Sequence, residues 1–174
     1  MLLGILCLAL AGCGARASPT ATPIVASGPG APALGRPAPD FSLRAADGRG
    51  LSLSGLRGKV VLVNFWATWC EPCKRELPAI DAVQQQLGPR GFQALGVDYA
   101  DQDDVVERFA AAQRLSFPLL EDSIGRIGSV YRLLGVPTSY LIDRDGVLRA
   151  IHAGPYTRQE LMKAVNGMLG AAGQ

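Results

Sequence analysis

The sequence predicts an α/β fold, a mixed central sheet flanked by helices, and three observations carry that reading. The run Val60 to Phe65 is almost wholly apolar and rich in β-branched residues, too short for a helix, and so forms a central strand buried on both faces. Strand-like and helix-like segments alternate along the rest of the chain, the pattern of strands joined by helical crossovers. Apolar residues make up 48% of the 174, enough for one buried core in a single domain.

Taken from the N-terminus, residues 2–12 are apolar throughout, yet a helix crossing a bilayer needs about 20 such residues. The segment has the length of a signal-peptide apolar region and ends in small residues, which implies export. Leu10-Ala11-Gly12-Cys13 resembles the lipobox of bacterial lipoprotein signal peptides, although no Lys or Arg precedes the apolar run. The expectation is a lipoprotein signal peptide over 1–12, with Cys13 as the lipidated first mature residue and Cys7 discarded. Two acyl chains suffice for stable anchoring, since each buried methylene contributes about 0.8 kcal/mol. From 13 to 35 the chain is mostly Ala, Pro, Ser, Thr and Gly and reads as a flexible tether. The folded domain is expected over 36–174.

Within it, Phe41 to Leu43 and Leu51 to Leu53 alternate apolar and polar residues around Asp47-Gly48, which predicts an N-terminal hairpin. After Cys73, the spacing of Leu77, Ile80, Val83 and Leu87 predicts a helix ending at Gly88-Pro89. Residues 91–98 repeat the strand pattern. Residues 103–113 read as a helix with acidic residues in the first turn, 117–120 as a short strand and 127–134 as another helix. Residues 139–143 and 147–152 alternate around Asp145-Gly146 as an antiparallel hairpin. Residues 157–169 close the chain as a helix, with Thr157 as cap and Glu160 completing a capping box.

Charge excludes one class of partner. The 17 basic and 15 acidic residues nearly cancel and no basic stripe forms, so nucleic acid is not expected. The four cysteines divide into a leader pair and Cys70 with Cys73. A domain of this size needs no cystine staple, so Cys70-Glu71-Pro72-Cys73 points to chemistry. The pair stands where a buried strand turns into a helix, beside unpaired backbone N–H groups at the positive end of the helix dipole. Pro72 suits the first helical turn. Cys70 is the expected attacking thiolate and Cys73, further in, the resolving thiol. Zinc needs about four ligands, whereas the domain offers two thiols and the distant His152. A structural disulfide closing so short a loop stabilises little. No metal or cofactor is expected.

Phe65-Trp-Ala-Thr-Trp-Cys-Glu-Pro-Cys-Lys74 resembles the active site of thioredoxin-like proteins, and is most similar to the membrane-anchored thiol-disulfide oxidoreductases of TlpA and ResA type. The similarity extends over Ala38 to Phe41, Gly58 to Val61, Gly135 to Thr138 and Leu141 to Gly146. It implies a thioredoxin-like fold with an N-terminal hairpin and a central strand-helix insertion. It also implies that Pro137 is the family's cis-proline, packed against the sulfurs, and that the backbone of Val136 pairs with a bound peptide. Glu76 matches a glutamate implicated in proton handling. Asn64 stands where thioredoxins proper carry a buried aspartate, so Glu76 is the candidate to take the proton of Cys73, provided burial raises its pKa.

Trp66 and Trp69 bracket the approach to Cys70. Trp69, Glu71 and Pro72 are expected to line the client's path, with Trp69 exposed and Trp66 in the core, while His152 receives no role. The expected function is reduction of extracytoplasmic disulfides in client proteins by a lipid-anchored monomer fed by a membrane thiol donor, with apocytochrome c one client the resemblance suggests. Two rivals compete. A peroxiredoxin uses Pro-x-x-x-Thr-x-x-Cys, where this chain has Val63 and Ala67. A copper-delivery module of related fold places three residues between its cysteines, and here there are two.

Overall fold

The computed structural model describes residues 31–170. The leader, Cys13, the tether through residue 30 and residues 171–174 lie outside the described residues.

The predicted N-terminal hairpin forms, with β1 (Ser42–Arg44) antiparallel to β2 (Gly50–Ser52). It is a small sheet of its own. The main sheet is built from β3 (Val60–Trp66), β4 (Phe92–Asp98), β5 (Leu119–Leu120), β6 (Thr138–Ile142) and β7 (Leu148–Ala153), in the order β5-β4-β3-β6-β7. β3 runs parallel to β4 and antiparallel to β6, so the sheet is mixed and its most apolar strand lies in the middle. The helices are α1 (Glu71–Leu87), α2 (Asp103–Gln113), α3 (Arg126–Val130) and α4 (Arg158–Gly170). α2 and β5 form the central insertion. Arg44 ties the hairpin to it, pairing with Glu107 at 2.7 Å and Glu121 at 2.8 Å.

Two core layers follow from the period-two alternation of β3. Val60, Leu62 and Trp66 face α1 and α4, packing with Leu77, Ile80, Val83, Leu161 and Val165. Val61, Val63 and Phe65 face the other way, onto Phe41, Leu53, Tyr131 and Tyr140. Asn64 has the parity of Leu62 and Trp66, so the strand sends a single amide into the α1 layer.

Two elements differ from the sequence expectation. The predicted helix over 127–134 spans only Arg126–Val130, because Tyr131 caps it and Arg132 turns to φ +50°, leaving Leu134 fully exposed. The Asp122 carboxylate fixes its start, accepting the N–H groups of Ile127 and Gly128 at 2.9 Å each. The strand expected over 117–120 is two residues long, since Pro118 has no N–H to give a ladder. Pro78 lies inside α1 without ending it. The capping box forms as expected: Thr157 N donates to Glu160 Oε2 at 2.9 Å and Glu160 N to Thr157 Oγ1 at 3.3 Å.

Candidate functional site

The site sits where the parallel strands end. β3 stops at Trp66, a tight turn closes with Cys70 N donating to Ala67 O at 3.1 Å, and α1 begins at Glu71 with Cys70 as its N-cap. Cys70 Sγ accepts the Cys73 N–H at 3.2 Å, so the sulfur takes the place a capping oxygen would fill and meets one of the helix's unpaired donors. Pro72 occupies the first turn, where its missing donor costs nothing. Cys70 and Cys73 form a disulfide with Cα atoms 5.3 Å apart. Cys70 keeps 5% of its surface exposed and Cys73 none, so a partner reaches Cys70 first. Exposed Glu71 pairs with Lys74 one turn on, which answers part of its charge.

Glu76 lies one turn beyond Cys73 on the buried face of α1, itself 2% exposed. Its Oε1 accepts the Tyr156 N–H at 2.8 Å and its Oε2 the Asn64 side-chain amide at 3.1 Å. The same amide nitrogen donates to Ser139 Oγ at 2.9 Å. Burial outweighs the two donors and pushes Glu76 up to about 7, far above the usual carboxylate range. A carboxyl poised there can both take and return a proton. Sheet register sets this network: Asn64 on β3 stands opposite Ser139 on β6, which stands opposite His152 on β7. His152 stacks on Tyr156 with ring centroids 3.8 Å apart. The sequence reading left His152 at a surface or strand end, and the structure puts it half-buried beside the residue that holds Glu76.

On the approach side, Trp69 is 62% exposed and Trp66 fully buried, as expected, with Trp66 against Phe109 at 4.8 Å. The Val136–Pro137 bond is cis. Val136 is half-buried and packs on both core clusters, one of which contains the two cysteines. Glu71, Pro72 and Trp69 stay exposed around them. Among the described residues no group of three or more His, Cys, Asp or Glu is arranged to hold a metal ion, and no helix is long and apolar enough to cross a membrane.

The sequence reading missed Asp98 and Asp101. Asp98 ends β4 fully buried, and burial followed by its hydrogen bond with Asp101 pushes it up to about 8. Asp101 Oδ2 in turn accepts the Thr68 N–H at 2.7 Å, inside the turn that carries Cys70. The only signal was an aspartate closing a mostly apolar strand.

Residues 34–151 match the family model described as the AhpC/TSA family. The chain is 40% identical over 129 residues to the thioredoxin-like protein YneN of Bacillus subtilis, covering 73% of this chain and 75% of that one. It is 33% identical over 128 residues to the thiol-disulfide oxidoreductase ResA of Bacillus thuringiensis, covering 74% of each. Its fold is similar to that of a thiol:disulfide interchange protein of Chlorobium tepidum, with TM-score 0.70 and 32% identity over 80% of this chain and 100% of that one.

Proposed function

The chain belongs to the AhpC/TSA family, as a thiol-disulfide oxidoreductase of ResA type, and from that position we propose that it works as a reductant of client disulfides. The observation that carries the reading is the asymmetry of the two sulfurs: Cys70 caps the helix at the surface, while Cys73 is sealed beneath it one turn from a carboxyl held near neutrality. In the reduced protein Cys70 attacks a client disulfide and forms a mixed disulfide, expelling one client sulfur as a thiolate that takes up a proton. Glu76 then takes the proton of Cys73. The Cys73 thiolate attacks Cys70 Sγ, closes the Cys70–Cys73 bond and releases the second client sulfur. Two electrons pass from the dithiol to the client.

Direction follows from charge. Glu71 and Glu76 flank the pair and Asp101 holds its turn, with Lys74 the cation that answers one of them. Negative surroundings disfavour the thiolate and so favour the oxidised form of the enzyme, which makes it a reducing couple. Equilibration with glutathione is expected to give a potential well below that of the strongest oxidants; a value near about −120 mV contradicts the proposed direction.

Clients whose cofactor-attachment cysteines must be reduced, apocytochrome c among them, suit such a couple, with electrons returned by a membrane thiol donor. The lipobox-like Leu10-Ala11-Gly12-Cys13 supports an extracytoplasmic, lipid-anchored protein. Metabolic labelling with a fatty-acid analogue is expected to mark the full chain, and persistence of the label in Cys13→Ser would count against the anchor. The peroxidase alternative finds no support around Cys70, where Val63 in β3 and Ala67 in the turn are both buried apolar residues.

A further inference from the structure

Asp98 is a buried titratable group that the exchange mechanism leaves unused. It is fully buried at the end of β4, in register with Trp66 at the end of β3. Its Oδ2 accepts the Asp101 N–H at 2.9 Å, while its buried Oδ1 has no hydrogen-bond partner. Burial, with the neighbouring Asp101 carboxyl, raises the Asp98 carboxyl to about 8. Two carboxyl groups side by side can bond only through a proton, and burial at a strand end favours that proton on Asp98. A proton on the unpartnered oxygen would let it donate to Asp101. Asp101, half-buried, accepts the Thr68 N–H at 2.7 Å. Thr68 lies within the Ala67–Cys70 turn, closed by the Cys70 N–H on Ala67 O.

We propose that Asp98 and Asp101 act as positioning residues for the nucleophile, a carboxyl-carboxylate strap that grips the turn at Thr68 and so holds Cys70 Sγ at the helix N-cap. The inference rests on the assignment of Cys70 as the attacking sulfur. Neither aspartate touches the reacting atoms. Their effect passes through the turn: with Thr68 released, the turn no longer fixes the sulfur against the Cys73 N–H, and the thiolate loses that donor.

Two charge-matched pairs of variants test the strap. Asp101→Asn keeps an oxygen to accept the Thr68 N–H, and Asp101→Ala does not, while both remove the charge. Asp98→Asn keeps a donor to Asp101, and Asp98→Leu does not, while both leave position 98 neutral. The readout is the rate at which iodoacetamide labels Cys70 in the fully reduced protein at pH 7, located by peptide mass spectrometry. Asp101→Ala is expected to react about threefold to tenfold more slowly than Asp101→Asn, and Asp98→Leu more slowly than Asp98→Asn by a similar factor, the range set by one lost hydrogen bond. A role confined to stability would lower the melting temperature without separating the members of either pair. If Asp98→Leu does not fold, the Asp101 pair decides, since that residue lies in a half-exposed loop. Equal or faster labelling in the strapless member overturns the inference and leaves the oxidoreductase reading standing. Preferential labelling of Cys73 in the wild-type protein overturns the assignment of the attacking sulfur, and this inference with it.

Discussion

Replacing Cys73 with alanine is expected to end catalytic turnover while leaving the attack of Cys70 intact, so that the variant accumulates as a covalent adduct with its client. Cys73 is fully buried and Cys70, at 5% exposure, is the more accessible sulfur. Removing the resolving thiol therefore takes away the group that breaks the mixed disulfide and spares the one that makes it. The protein's own dithiol-disulfide cycle stops after one step, and non-reducing electrophoresis of the variant should show a client-sized shift that a reductant abolishes. Mass spectrometry of that band names the client. A Cys73→Ala protein that still turned over a model disulfide at the wild-type rate, in the absence of an added thiol, would show that Cys73 does not resolve the intermediate.

Glu76→Gln has the second large effect, and it is a double one. The amide keeps the volume of the side chain and an oxygen for the Tyr156 N–H, but it cannot take a proton from Cys73. General bases contribute about 10²-fold to 10⁴-fold, so at pH 7 the release of client from the mixed disulfide should slow by about 10²-fold or more. The inflection near pH 7 in the rate of that step should vanish with it. Stability moves the other way. The carboxyl ionises near 4.5 when unfolded and is raised by burial to about 7 in the fold. Its contribution to stability is complete below 4.5 and is lost as the pH rises through 7, because the unfolded chain releases the proton first. Between pH 5 and 8 the wild-type protein should therefore lose about 2 to 3 kcal/mol that the glutamine variant keeps. Denaturant titration of the oxidised proteins at the two pH values measures the difference. A variant whose exchange rate and pH-dependence of stability both match the wild type would remove Glu76 from the mechanism.

What could be read in the sequence tracks how local each determinant is. β3 announced itself because burial on both faces demands an unbroken apolar run, and α1 because its buried residues repeat at helical spacing. The cysteine pair was visible for the same reason, as a short motif at a strand-to-helix junction. Helix α3 was overextended, because its end is set by the backbone at Tyr131 and Arg132 and not by any interruption of its apolar residues. The polar row from Asn64 through Ser139 to His152 was hidden, since it exists only once β3, β6 and β7 are aligned, and strand register across 75 residues of chain leaves no local mark. Asp98 and Asp101 were missed for a related reason. Their meaning comes from the turn after β3, which lies 33 residues earlier than Asp101 and meets it only because the two parallel strands end side by side.

The order in which the two thiols of the reduced protein react tests the whole account most directly. With a small alkylating agent in limiting amount near neutral pH, peptide mapping should find the label on Cys70 well before any reaches Cys73. Labelling of Cys73 first, or of both at the same rate, would contradict the division of roles between a surface nucleophile and a sealed resolving sulfur.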